Sequence, residues 1–552
     1  MYHHAHALDA HRPVHYEGQT MDKSWRDTSD IETRMYAHAD EIEKYVSNNP
    51  DKPYISCEYM HAMGNSLGNM NEYVALEKYP HYQGGFIWDF IDQAIRQTLP
   101  DGSTHLAYGG DFDDRPTDYE FCGNGLLFAD RKPSPKAIEA KQQYANIRLY
   151  PNENGVRIEN HQLFTNTENY VFLAKLRVDG KIMWSQPYTC NVEPENDFGM
   201  PIEWPLEQYQ SSGEEITFEV SCTLAKSTRW AQKGYELSFG QYTILTKNSE
   251  SQAKQISNAR LHKDGTVTIG RWNAGTRNSS IETLFSYSQC GLISYRLGER
   301  EFVIKRPLIT TFRALTDNDR GCKHGFERAQ WAVAGKYAKC VDQTAEKLDD
   351  NTLQIVYKYE LANADHTTVN LTYVSKTSGD LHIELNYVPS GEDLPSIPAF
   401  GLEWMLPIEY RNLEFYGIGP VETYADRTSA GRLGIWKTNA FDDFMPYLVP
   451  QETGNHEKVR WANVTDDSGH GMRIQRHNST SNFCVSLLPY SSTMIEEAQH
   501  ISDLGDSKHM FLRILAAQMG VGGDDSWGSP VHPEYHLPAN KPYSLNVDLQ
   551  LF

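Results

Sequence analysis

The stretch "ISCEYMHAMGNSLGN", residues 55–69, places a carboxylate, Glu58, directly after a short apolar run and follows it with Tyr59, His61, Asn65 and the glycines Gly64 and Gly68. In a parallel βα barrel the carboxyl ends of the strands carry the active site, so an acid in this place asks for a chemical reason. "PYISCEYM" (53–60) reads as one of four short strands, the others being "PVHYEG" (13–18), "DIETRMYA" (30–37) and "GGFIWDFID" (84–92). Between them "DEIEKYVSNN" and "NMNEYVALEKYP" carry helical spacing, which is the rhythm of βα units in a parallel sheet. "PSPKAIEAKQQYANI" (133–147) closes the region as a helix, with Ser134 as cap and Pro135 in the first helical position.

Read alone, Glu58 has two roles open to it. One is a structural ion pair. The other is catalytic: a carboxylate among donors stays ionised, and one that faces an open pocket can attack an anomeric carbon to form a glycosyl ester. Tyr59 and His61 can orient the carboxylate or a substrate hydroxyl, and the glycines allow close backbone approach. Trp88, at the end of "GGFIW", is either core or a stacking wall for a sugar ring.

The rest of the chain reads differently. From 149 to 247, segments such as "GVRIENHQLF", "YVFLAKLRVDGKIMW" and "EEITFEVSCTLA" alternate between turns, the pattern of an antiparallel, immunoglobulin-like sandwich. From 248 to 552 the same style continues, with "TVTIGRW", "QIVYKYEL", "VNLTYVS", "LHIELNYV" and "YSLNVDLQLF" as its clearest strands, predicting a large β-sandwich domain. Residues 1–148 form the remaining domain, consistent with a 552-residue chain being too long for one core.

Composition narrows the partners. With 73 acidic and 51 basic residues the net charge is -22, which repels phosphate and excludes nucleic acid as an expected partner. No segment approaches a membrane span or a signal peptide. The eight cysteines form no CxxC pair and read as reduced thiols, so the expected location is the cytoplasm. An aromatic content of 12% suits either sugar stacking or aromatic-rich β cores.

Four blocks, "ISCEYMHAMGNSLGN", "GGFIWDFIDQAI", "AYGGDFDDRPTDYEFCGNGLLFADRKPSP" and "MGVGGDDSWGSPVHPEY", resemble in order the large bacterial β-galactosidases of glycoside hydrolase family 2. The resemblance runs over essentially the whole chain. It implies the second half of a (β/α)8 (TIM) barrel, then the two β-sandwich domains, and hydrolysis of terminal β-D-galactosides such as lactose with retention. Glu58 would be the nucleophile, Tyr36 its hydrogen-bond partner and His61 a binder of galactosyl hydroxyls. Met35 and Trp88 would line the sugar site, and Trp527 would reach in on the aglycone side. The Phe121 carbonyl and the Asn124 side chain would be ligands of a sodium ion, with Asp118 supporting them. Magnesium and an oligomeric assembly are implied as well.

Retaining glycosidases need a second carboxyl group roughly 5 to 5.5 Å from the first. The family's acid/base block, its magnesium ligands and its N-terminal domains have no counterpart in these residues. The expectation is therefore a chain that needs an N-terminal portion or partner chain for turnover, its strand 13–18 leaving an edge to be covered. The rival reading is a non-catalytic carbohydrate-binding or assembly fragment. Glu17 is a weaker candidate for the missing acid, and His3, His4, His6, His11 and His15 read as a solvated surface helix rather than a metal site.

Overall fold

A parallel pair of strands frames Glu58: β1 (Tyr54–Tyr59) and β2 (Tyr82–Ile87), in register Tyr54 with Tyr82 and Tyr59 with Ile87. The computed structural model describes residues 1–209, 213, 215–246, 260–264, 273–391 and 393–552. The expected strand "TVTIGRW" (266–272) lies outside the described residues.

The helix Ala39–Val46 turns Ala39, Ile42 and Val46 inward, at the i, i+3, i+7 spacing of one helical face. It shares a core with Tyr54, Tyr59, Leu67, Met70, Tyr73 and Leu76, each large apolar side chain contributing about 1.5–3 kcal/mol by leaving water. "NMNEYVALEKYP" forms a short helix, Met70–Val74, that tightens into a 3-10 turn over Ala75–Lys78. The helix Pro135–Gln143 has Pro135 in its first turn as expected. Ser134 precedes it without capping: its hydroxyl donates instead to the Leu126 carbonyl at 2.7 Å.

Two expected strands do not form. Residues 30–37 follow β1 only through single bonds, Glu32 N–H to Pro53, Ile55 N–H to the Glu32 carbonyl and Tyr36 N–H to the Glu58 carbonyl, and only Glu32 and Tyr54 bridge. The left-handed turn at Tyr36 (φ 51) breaks the ladder. Over 13–18 side chains take the ladder's place: Val14 N–H donates to the Asp30 carboxylate and Tyr16 N–H to the Ser29 hydroxyl, before a 3-10 turn at Glu17–Thr20. β2 stops at Ile87, so Trp88 stands just beyond its carboxyl end rather than inside a longer strand. The N-terminal histidines do begin on a surface helix, Tyr2–Leu8, with no buried residue.

Beyond residue 146, a three-stranded sheet (Ile147–Asn152, Gly155–Asn160, Asn196–Pro201) and a four-stranded one (Glu236–Leu245, Glu215–Leu224, Tyr170–Val178, Lys181–Tyr188) share one core around Ile158, Phe172, Leu176 and Phe218. The remainder is built on a nine-stranded antiparallel sheet and two five-stranded sheets over a single large core. In the nine-stranded sheet the strand Tyr543–Leu551 lies between Leu381–Val388 and Gly471–Arg476, joining the sheet's two halves. Arg460 and Tyr416 reach from this sheet to Glu215, at 2.9 and 2.7 Å, and fix it to the smaller sandwich. The fold is thus mainly β, with a barrel part at its start. Among the described residues no helix is long and apolar enough to cross a membrane, and all eight cysteines are free.

Candidate active site

Glu58 is the second-last residue of β1 and only half-buried. Tyr36 is fastened to it twice: the Tyr36 N–H donates to the Glu58 carbonyl at 2.9 Å, and the phenol donates to Glu58 Oε2 at 2.9 Å. Tyr36 and Met60 both have left-handed backbone, at φ 51 and 50, a conformation that costs roughly 1–2 kcal/mol and is held by its surroundings. Burial and the Glu58 charge hold the Tyr36 phenol far above its ordinary pKa, so it stays a proton donor to the carboxylate. His61 is buried, and burial together with the Lys136 charge pulls it down to about 4. It is therefore neutral at physiological pH, with Nδ1 on the Ser526 hydroxyl at 2.9 Å.

Trp527 closes one side, edge-on to Tyr36 (4.7 Å between ring centres) and to His61 (5.0 Å). Phe121 faces His61 at 6.1 Å. Met35 and Trp88 are both exposed, and the Trp88 carbonyl accepts the Ala62 N–H at 2.7 Å, which anchors it beside the segment that follows Glu58. Hence Tyr36, Glu58, His61, Phe121 and Trp527 are brought together, with Met35 and Trp88 adjoining by chain and hydrogen bond. Asp118 is exposed at the start of the turn Tyr119–Cys122, and its carbonyl accepts the Phe121 N–H at 3.3 Å. Asn124 is buried; its amide N–H donates to the Phe121 carbonyl at 2.8 Å, and its Oδ1 is buried without a hydrogen-bond partner. An unsatisfied amide oxygen beside a main-chain carbonyl is a donor set that fits a hard monovalent cation.

The glycines are explained by the same assembly. A side chain on Gly64 would meet the Asp317 carboxylate and one on Gly68 that of Asp426, both from the C-terminal β region. Asn65 completes the contact, its N–H donating to Gln451 and its amide to the Glu452 carbonyl.

Sequence reasoning missed what holds Trp527. Asp525 Oδ1 accepts the N–H groups of Trp527, Gly528 and Ser529 at 2.7 to 2.9 Å, an Asx-type turn that aims the indole. Asp524, fully buried, accepts hydrogen bonds from His38, His532 (3.0 Å), Tyr73 (2.8 Å) and Asn69 (3.3 Å). Burial alone would raise the Asp524 carboxyl, but the bonds from His38 and His532 outweigh it and hold it well below the usual range. In return the hydrogen bond to Asp524 lifts His38 and pushes His532 up to about 9. Both histidines bind protons more tightly folded than unfolded. The stabilisation from His532 is complete below about pH 6.5 and is lost as pH rises through 9, and that from His38 runs in the same direction. Amide exchange protection in residues 519–532 is therefore expected to fall at least about tenfold between pH 6.5 and 9, and Asp524→Asn should flatten that dependence.

Three family descriptions match this chain in succession: "Glycosyl hydrolases family 2, TIM barrel domain" over residues 1–149, "Beta-galactosidase, domain 4" over 156–244 and "Beta galactosidase small chain" over 277–549. The chain belongs to glycosyl hydrolase family 2. Among curated relatives, the beta-galactosidase BgaC of Bifidobacterium adolescentis is 57% identical over 562 residues, covering 100% of this chain and 53% of its own length. The beta-galactosidase of Streptococcus thermophilus is 40% identical, over 99% of this chain and 54% of its own. That of Lactobacillus delbrueckii subsp. bulgaricus is 41% identical, over 98% and 52%. The chain thus spans about half the length of these curated relatives.

Proposed function

We propose that this chain is the nucleophile-bearing part of a retaining β-galactosidase, completed by an N-terminal portion or partner chain. The observation that carries the reading is the Tyr36–Glu58 hydrogen bond at the carboxyl end of β1, framed by His61 and Trp527. Glu58 attacks the anomeric carbon as the glycosidic bond breaks, the leaving oxygen takes a proton from a general acid, and water then releases the sugar from the Glu58 ester. Tyr36 holds the carboxylate in line and donates to it, stabilising Glu58 as it leaves in the second step. Neutral His61 is suited to sugar hydroxyls, and Trp527 with Trp88 to the apolar faces of the rings.

The acid belongs outside this set. Asp525 is the other carboxylate that bears on Tyr36, and its oxygens are spent on Trp527, Gly528 and Ser529. Glu17 sits on a 3-10 turn, not at a strand end. The barrel part also supports a partner: among the described residues β2 pairs only with β1, and Phe86 and Phe90 on and beyond it are 66% and 62% exposed, a face suited to further barrel strands. Magnesium enters this reading only with ligands from that portion. The free thiols support a reducing compartment, the cytoplasm.

The test of substrate class is a panel of nitrophenyl β-glycosides offered to the assembled enzyme. Turnover confined to the galactoside supports the reading. Galactose binding with no turnover of any member would favour the carbohydrate-binding alternative.

Sodium, held by the Phe121 carbonyl and Asn124 Oδ1, would fix a galactosyl hydroxyl by charge. Asn124→Ala should weaken sodium's effect on KM at least about tenfold, the loss that even outer partners of a bound metal show. An unchanged sodium titration in that variant would remove the site.

A further inference from the structure

Three groups of two histidines and one aspartate stand out among the described residues, and they differ in kind. His38, Asp524 and His532 belong to the site above, where the two imidazoles donate protons to one carboxylate. His105 and His500 stack at an interplanar angle of 16°, so their lone pairs run side by side rather than toward one point. His382, His477 and Asp548 are arranged otherwise. Their rings are tilted by 50° with centres 4.3 Å apart, and both Nδ1 atoms converge on the carboxylate between them.

We infer that His382, His477 and Asp548 form a binding site for a divalent first-row metal ion of the Zn2+ class. His382 Nδ1 lies 2.9 Å from Asp548 Oδ1, and His477 Nδ1 lies 3.2 Å from the same oxygen. Donor atoms around a tetrahedral ion bound at ~2.0–2.1 Å are roughly 3.3 Å apart, so two edges of the coordination figure are already close to their final length. One donor atom from each residue lies within 4.8 Å of the other two, which leaves the third edge to be closed by a small ring rotation. Two imidazoles and one carboxylate suit Zn2+, Ni2+ or Cu2+ better than a hard, oxygen-seeking cation.

The scaffold makes the site rigid and open. His382 and Asp548 are direct cross-strand partners, and His477 immediately follows the strand Gly471–Arg476, whose Gln475 also pairs with Asp548. Side-chain exposures of 20% for His382, 47% for His477 and 40% for Asp548 leave room for a water ligand and a path for the ion. The three residues come from the central strand Tyr543–Leu551 and its two neighbours, so a bound ion would clamp the seam where the nine-stranded sheet's halves meet. That role is structural, and it is independent of any glycosidase activity.

The test uses the 552-residue chain, stripped with EDTA and titrated with Co2+ and Zn2+. We expect one ion per chain, cobalt absorption bands of a nitrogen and oxygen site without thiolate charge transfer, and a higher Tm with Zn2+. His477→Ala, an exposed change whose metal-free Tm and far-UV circular dichroism should match the parent, is expected to weaken binding at least about tenfold. Asp548→Asn should do the same, while His105→Gln and His532→Gln should not. No binding at micromolar ion, a thiolate signature, or binding that survives His477→Ala and Asp548→Asn would each overturn the site.

Discussion

Glu58→Gln is expected to lower turnover of nitrophenyl β-galactoside by the assembled enzyme on the order of 10⁴- to 10⁶-fold, the scale on which removal of a covalent nucleophile acts. The amide is nearly the same size and still accepts the Tyr36 hydroxyl, so the loss would report chemistry rather than collapse. Tyr36→Phe removes one hydrogen bond to a charged group and should cost only about 10- to 100-fold. A 2-deoxy-2-fluoro galactoside with a good leaving group should leave a sugar ester on the peptide carrying Glu58, since the fluorine slows breakdown of the intermediate. Mass spectrometry that finds the label on another carboxylate would transfer the role to that residue.

The second large effect concerns the chain alone. Purified residues 1–552 should not hydrolyse lactose measurably, because loss of proton transfer costs about 10²- to 10⁴-fold even in an intact site and the barrel here presents one parallel strand pair. Adding the N-terminal portion of the 57% identical relative should restore activity. Nitrophenyl galactoside separates the two defects, since its leaving group needs little protonation. Cleavage of it but not of lactose by the lone chain would mean that the Glu58 site is formed and only the acid is wanting. Robust lactose turnover by the lone chain would defeat the claim of a partner and return Glu17 to consideration.

The β regions were legible because alternation encodes them locally. In "QIVYKYEL" and "LHIELNYV" every second side chain is buried, and both are strands in the nine-stranded sheet. The barrel part was less legible, for a physical reason: parallel strands depend on neighbours for their hydrogen bonds, and "PVHYEG" meets "DIETRMYA" mainly through the Asp30 and adjoining Ser29 side chains rather than a backbone ladder. Within the site, Glu58 and His61 share one compact motif, whereas Tyr36 entered only through the family resemblance. Asp524 and Asp525 were not, because "GGDD" reads as an ordinary turn. What distinguishes Asp524, the partners His38, Tyr73 and His532, is scattered along the chain and adjacent only after folding.

Trp527 comes from the far end of the fold, and its neighbour Ser526 is 465 positions from His61 in sequence. During synthesis at about 5–20 residues per second, the Glu58 segment leaves the ribosome roughly 20 to 90 seconds before the wall that faces it exists. A ribosome-bound chain therefore holds Glu58 and Tyr36 long before it holds the wall that faces them. Any product stalled or clipped ahead of Asp524 carries the Glu58 carboxylate without its aromatic cover, so the facing wall is complete only in chains translated through that loop.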